Sequence, residues 1–460
     1  MSQDQVRTAI LLGTLSLLSL IPTAVAWRRA RVFRDWDATS TLVFLVGVLA
    51  NAPTVAFVLH SGRPQLLDPL GEVVIGFPQW VNRIGTVANA VLLATCVVFV
   101  FHRVVSGRLR PNGTALIACG LVILLAFSDG LHGQEVFTPR QFVLLCVLLA
   151  TVVARPGRGA LLGGAAVVLL FSLLSGITAL ISPTTVLRPC RVDNPCGALG
   201  ILYAGVFTNE NIFSLILVLG LPFVWLALRG PVRAVLTAYV AFLAVATGSR
   251  LAGVAALVVL TFLIVVAPRL PEERSSGPVR ARGPLLALAM LGAAAVVGLA
   301  APFHHPGAET LGDRATIWDM ARGELRESVL IGFGGKTWSA KYQISEIPAA
   351  VSPSLHNEWI DLLYAGGVVA LGLFLLLLAR VLFRDGVAGI PLAASVLLPV
   401  LLTSVLERPW AFSFSNSLTF CLVVALLTPV GLVPAHGSRG AEQAQRDRLQ
   451  DPRAGVGIQR

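Results

Sequence analysis

Apolar stretches of about twenty residues recur along the whole of this 460-residue chain, and each is long enough for a helix to cross the ~30 Å hydrocarbon layer of a bilayer. No single run carries the average: 55% of the residues are hydrophobic and only 13% charged. That leaves too little polar surface for a water-soluble protein of this size. In lipid, backbone polar groups are satisfied only in helices or closed barrels. Runs such as ALLGGAAVVLLFSLLSGITALI lack the period-two alternation of barrel strands. The expected fold is an all-α polytopic integral membrane protein of about 12–13 transmembrane helices, the first over 6–26 and the last over 414–430.

The formal net charge of +11 would suit a nucleic-acid partner, but its distribution does not. Alternate connections are rich in arginine: Arg28, Arg29, Arg31 and Arg34; Arg103, Arg108 and Arg110; Arg155 and Arg158; Arg229 and Arg233. The series continues with Arg269, Arg274, Arg280 and Arg282, then Arg380 and Arg384, then the tail. This side holds 22 of the 35 basic and 8 of the 24 acidic residues, a net +14; the other side carries a net −3. Positive-inside bias places the arginine-rich side in the cytoplasm. The charge is thus a topology signal and implies no nucleic acid. The first apolar run is too long for a cleavable signal, and its basic flank follows it, so it reads as a span with the N-terminus outside. Residues 1–430 form one multi-span membrane domain, and 431–460 a polar, disordered cytoplasmic tail. The expected localisation is the cell inner (plasma) membrane.

Two outer segments exceed the short connectors. One, 183–207, holds Cys190 and Cys196, which an oxidising exterior would let pair; two separate thiols are the plainer alternative. It leads into Thr208-Asn209-Glu210-Asn211. Cys96, Cys119, Cys146 and Cys421 fall inside spans, as small apolar-like thiols do. The other segment, 303–356, contains RATIWDMARGELRES, where Ile317, Met320 and Leu325 recur at helical spacing among charges. That pattern predicts a short amphipathic helix near the membrane surface.

Ionisable residues gather at the outer ends of spans: Arg83, Arg250, Arg314, His356, Glu358, Asp361, Glu407 and Arg408. A charge within a span costs about 2.5–3.5 kcal/mol on insertion scales, so each needs a partner or a purpose. Taken alone, Arg250 reads as an arginine snorkelling to the interface, Arg314 as a cap or ion-pair member, and His356 as a cap on the next span. Taken together they suit displacement of a diphosphate from a polyprenyl-linked sugar. Arginine forks match phosphate oxygens and stabilise the charge that builds on the leaving group. Histidine is suited to take the acceptor's proton near neutral pH.

Three blocks resemble the O-antigen ligase family and the related Wzy-type polysaccharide polymerases: TGSRLAG, GDRATIWDMARGELRESVLIGFG with Gly332, Gly334 and Gly335, and SLHNEWIDLLYAGGVVALGLFL. In the last, His356-Asn357 is followed by nine residues and Gly367, while Ala370 replaces the second glycine of the family's Gly-x-x-Gly and Leu251 replaces a glycine of the first block. The likeness spans about 205–380. It implies a C-type, inverting glycosyltransferase without metal or other cofactor. Such an enzyme moves a glycan from a polyprenyl-diphosphate-linked donor to a glycan or glycolipid acceptor outside the cytoplasm. Carried over, Arg250 and Arg314 bind the donor diphosphate and His356 is the catalytic base. Asn357, Arg83, Glu407 and Arg408 are possible supporting residues.

Other readings stay open. A polymerase would extend lipid-linked repeat units. A lipid-linked oligosaccharide transporter or flippase would also have many spans, with charges along a central path. Asp35-Trp36-Asp37 is a D-x-D string of the kind that holds a metal against diphosphate, but it lies beside the cytoplasmic arginines. His304-His305 has no carboxylate or cysteine at ligand spacing and reads as loop surface.

Overall fold

Each hydrophobic stretch folds as a helix because a helix alone pairs its own backbone groups out of reach of water. The computed structural model describes residues 3–32, 35–62, 77–107, 111–190, 196–268, 270, 282–304, 314–343 and 354–428. Expectations for His305, for Arg34, Arg108, Arg110, Arg269, Arg274 and Arg280, and for the 431–460 tail lie outside these residues. Among the described residues nine helices are long and apolar enough to cross a membrane. They are α1 (Gln3–Val32), α2 (Ala38–Ser61), α3 (Gln79–Val105), α4 (Gly113–Leu131), α6 (Arg158–Ile181), α8 (Glu210–Ala227), α11 (Arg282–Ala300), α14 (Glu358–Phe383) and α15 (Gly386–Thr403). Three shorter apolar helices, α5 (Pro139–Val153), α9 (Gly230–Ala246) and α10 (Arg250–Val266), complete the bundle. The molecule is an all-α, multi-pass membrane protein.

Large apolar side chains such as Ile21, Val97, Phe101, Val254 and Val296 are exposed on the helix surfaces. Lipid, rather than water, satisfies such a surface. Inside, α8, α15 and α6 are the best-buried spans, with α1, α2, α9 and α10 packed around them.

The last predicted span takes a different form from a plain helix. Only α16 (Thr419–Leu426) is helical, and all eight of its residues are buried. The chain before it descends as turns. Trp410 N–H donates to Glu358 Oε2 at 3.0 Å, and Ser415 N–H donates to the Arg140 carbonyl at 3.1 Å. Asn51, midway along α2, donates to the Ser417 carbonyl at 3.1 Å. At its far end Asn112 and Gly157 hold the carbonyls of Leu426 and Leu427. Irregular backbone at membrane depth is tolerated here because protein surrounds it and satisfies its polar groups.

The expected amphipathic helix is α12 (Arg314–Leu325). Its Ile317, Trp318, Ala321 and Leu325 bury with Trp338 of α13 (Thr337–Gln343), Leu355, and Ile360 and Tyr364 of α14. This small core is separate from the main one and lies over the start of α14. The 183–207 segment holds a four-residue helix α7 (Pro183–Val186) and a hairpin, β1 (Leu187–Arg188) with β2 (Leu202–Tyr203). A disulfide joins Cys190 to Cys196, and Arg188 pairs with Glu210 at 3.2 Å, anchoring the hairpin to the start of α8.

Candidate active site

The site is built where α11, α12, α14 and α15 end on the face opposite the arginine-rich connectors. Asn357 is the N-cap of α14. Its Oδ1 accepts the Trp359 and Ile360 N–H groups at 2.9 and 3.0 Å, satisfying donors that a helix start leaves orphaned. Its amide donates to the Gly298 carbonyl on α11 and to the Val405 carbonyl just beyond α15, at 3.0 and 2.9 Å. One fully buried side chain thereby fixes three elements at a point.

His356 precedes this cap with φ +50°, one of two non-glycine residues with positive φ among those described. The left-handed backbone turns its imidazole away from the helix axis toward the chain after α15. There Glu407 Oε2 meets His356 Nδ1 at 3.2 Å, while Glu407 Oε1 accepts Arg314 Nη2 at 3.2 Å. Arg314 opens α12. Both Arg314 and His356 retain about a quarter of their side-chain exposure, Glu407 less. One carboxylate therefore bridges an arginine and a histidine that both keep part of their surface exposed.

A second ion pair lies beneath. Arg408 Nη1 donates to Asp361 Oδ1 at 2.9 Å. Its guanidinium also faces the Phe414 ring, with Cζ 6.0 Å from the ring centroid. Glu358 is wholly buried beside it, with Oε2 on the Trp410 N–H and Oε1 without a hydrogen-bond partner among the described residues. Arg408 therefore offsets acidic charge at the head of α14 and does not share Glu407 with His356.

Arg250 starts α10, and chain direction puts it on the same face, since α10 runs inward, α11 returns and Asn357 ties the end of α11 to the start of α14. Its side chain is exposed and makes no hydrogen bond or ion pair among the described residues. The disulfide loop supports its turn: Gly197 packs so closely on Gly248 that a Cβ there would lie 2.4 Å from the Gly248 Cα, and Tyr203 N–H donates to the Thr247 carbonyl at 3.1 Å. Arg83 does not join the cluster. It is exposed on α3, which packs chiefly on α2 and α5. Asp35 and Asp37 serve local structure: Asp37 caps α2 through the Ser40 N–H at 2.8 Å, and Asp35 pairs with Arg158 at 3.2 Å. His304 is exposed.

The glycine-rich turn and the glycine after His356 prove to be one device. At Gly367, φ +64°, α14 breaks. The broken helix's Tyr364 and Ala365 carbonyls accept Phe333 and Gly334 N–H, both at 2.8 Å, and Val368 N–H donates to the Val329 carbonyl at 2.9 Å. A Cβ on Gly367 would lie 2.2 Å from the Leu330 backbone, and one on Gly332 2.4 Å from the Tyr364 carbonyl oxygen. The turn from 329 to 335 thus enters the break, about 14 Å along the helix from its first residue, Glu358, at about 1.5 Å per residue. Sequence reasoning missed the ties that hold this turn. Asp129 Oδ1 accepts Lys336 N–H at 3.0 Å, Gln141 donates to Asp129 Oδ2 at 2.9 Å, and Tyr364 Oη donates to Glu324 at 2.6 Å. A carboxylate at the outer end of an apolar stretch, as in SDG at 128–130, is the signal that points to such a tie.

A bundle of apolar helices with a part-exposed arginine–carboxylate–histidine cluster at one face is a polytopic membrane protein with a candidate site at the ends of its helices. Residues 234–375 match the family model described as O-antigen ligase. That segment carries Arg250, Arg314, His356, the glycine-rich turn and Gly367, so the chain is similar to the O-antigen ligase family over the part that holds the candidate site. Glu407 and Arg408 lie beyond the matched segment. No curated protein matches the chain.

Proposed function

We propose that the protein is an inverting membrane glycosyltransferase that moves a glycan from a polyprenyl-diphosphate donor to an acceptor hydroxyl on the extracytoplasmic face of the inner membrane. The observation that carries this reading is the Glu407 bridge between Arg314 and His356. With Nδ1–H donated to Glu407, Nε2 is the nitrogen that takes the acceptor's proton. The acceptor oxygen then attacks the anomeric carbon from the face opposite the diphosphate. As that bond forms, the bond from the carbon to the phosphate oxygen breaks, and the electron pair leaves with the diphosphate. Arg314, whose Nη2 is held by Glu407, offers Nη1 to a phosphate oxygen, and Arg250 supplies a second cation on the same face. Two guanidinium groups take the charge-stabilising part that a divalent ion plays elsewhere, so the step is expected to run without metal.

The transporter reading is disfavoured by the break in α14. Carbonyls freed at such breaks coordinate ions in transporters; here the glycine-rich turn consumes them. Among the described residues the charges of the cluster also sit at helix ends and not along a central path.

The test is turnover of the protein in nanodiscs, in EDTA, with a polyprenyl-diphosphate oligosaccharide and candidate acceptors including the donor itself. Wild type is expected to release polyprenyl diphosphate and His356→Ala is not. Products that lengthen on the lipid identify a polymerase, and a single transfer to a distinct acceptor a ligase. Unchanged donor crossing the bilayer, with no transfer, overturns the proposal in favour of transport.

A further inference from the structure

On the arginine-rich face, α1, α6, α8 and α9 enclose a cavity of about 350 Å³. Arg29, Arg158 and Arg229 line it against a single acidic residue, Asp35, with Leu162 and Leu228 among its apolar walls. Arg158 is held in place: Nη1 pairs with Asp35 at 3.2 Å, and Nη2 donates to the Ala227 carbonyl, the last of α8, at 2.8 Å. Arg29 and Arg229 stand exposed at the rim. The helices α6 and α9 also begin here, so their N-terminal dipole ends add positive potential. Nothing in the proposed transfer at the other face uses this concentration of charge.

A second observation tells what form of anion suits it. Leu18, Ile21 and Val25 are exposed on α1, and with Arg29 they fall at i, i+3, i+7 and i+11, one stripe of the helix. An apolar track on the lipid-facing side therefore runs along α1 and ends at a cationic rim residue of the cavity. Chemistry that fits both halves is a phosphate ester carrying acyl chains: phosphate among the arginines, chain along the stripe. Basic pockets between helices at this membrane face suit anionic headgroups.

We propose that this cavity is a binding site for the phosphate headgroup of an anionic phospholipid from the adjoining leaflet, held by Arg29, Arg158 and Arg229. Lipid in this site bridges α1 to α6 and α9.

Native mass spectrometry of the full chain, released from detergent with added phosphatidylglycerol or phosphatidylcholine, tests it. Wild type is expected to retain phosphatidylglycerol at least tenfold better than phosphatidylcholine. Arg29→Ala/Arg229→Ala is expected to lose that preference. The control Arg28→Ala/Arg31→Ala removes the same charge from exposed positions that do not line the cavity, and is expected to keep it. Thermal melting of both variants without lipid checks folding, and the milder Arg29→Gln replaces the double variant if that one does not fold. Equal loss in both double variants overturns the site in favour of diffuse attraction. Stabilisation by inorganic phosphate equal to that by phosphatidylglycerol overturns the lipid as the source of the anion.

Discussion

Glu407 and His356 stand 51 positions apart yet meet at 3.2 Å, carboxylate oxygen to Nδ1, and the same carboxylate holds Arg314 through its other oxygen. In the proposed transfer Glu407 is the residue that positions the other two. Replacing Glu407 by Gln is expected to lower kcat roughly 10–100-fold, as loss of a partner that orients a histidine does. The KM for donor is expected to change far less, because Arg250 and Arg314 remain. Glu407→Asp should restore part of the rate. Steady-state transfer assays check this, and wild-type turnover in Glu407→Gln removes the residue from the mechanism.

The positive φ of His356 separates its chemistry from its backbone role. Asparagine tolerates the left-handed region well, whereas a β-branched residue does not. His356→Asn is expected to fold with a melting temperature near wild type and to lack transfer. His356→Val is expected to lose transfer and melt lower as well. Equal melting of the two would mean that the backbone there carries no strain.

At the break in α14, Gly367→Ala forces a Cβ against the Leu330 backbone at a positive φ. Left-handed cost and overpacking together are on the order of 3 kcal/mol. The expected result is a sharp fall in folded yield and melting temperature, with Gly332→Ala behaving alike. Gly372→Ala, where nothing lies within 4 Å of the added carbon, serves as the neutral comparison.

Asn357→Ala removes a cap and two buried tethers at once. The cap alone is worth about 1 kcal/mol, and the Gly298 and Val405 carbonyls left without their donor add about 1–3 kcal/mol each. A lower melting temperature is expected together with reduced transfer, since the Val405 tether sets where Glu407 stands. Thermal shift and activity measured on one preparation check both; full activity would show that Glu407 is placed without the tether.

Reducing the Cys190–Cys196 bond frees the loop that packs Gly197 on the turn before Arg250. Cys190→Ser/Cys196→Ser is expected to raise the KM for donor several-fold with kcat little changed, read from the same transfer assay. A fall in kcat at unchanged KM would place the loop's effect elsewhere.

Much of the architecture was legible in residue order. Twenty-residue apolar runs are decided locally, because lipid leaves each of them no alternative to helix, and arginine in alternate connectors labels the faces without any contact being known. The amphipathic α12 showed as a 3.6-residue period, and the ligase-like blocks showed as short ordered strings. Even the nine residues between Asn357 and Gly367 were visible as a spacing, though not as the length of the outer half of a broken helix.

What tertiary structure alone decided is which outer charges share a site. Residue order placed Arg83, Arg250, Arg314, Glu407 and Arg408 alike at the outer ends of spans, and the family resemblance set Arg250 and Arg314 apart as diphosphate binders, with the other three as possible supporting residues. Packing sent Arg83 away with α3, gave Arg408 to Asp361, and set Glu407 between Arg314 and His356. It also made the final span half turn and half helix, and filled the gap in α14 with the turn from 329 to 335. The physical reason is range. Hydrophobicity acts residue by residue against a common solvent, whereas an ion pair or a borrowed carbonyl depends on ångström distances between segments far apart in the chain.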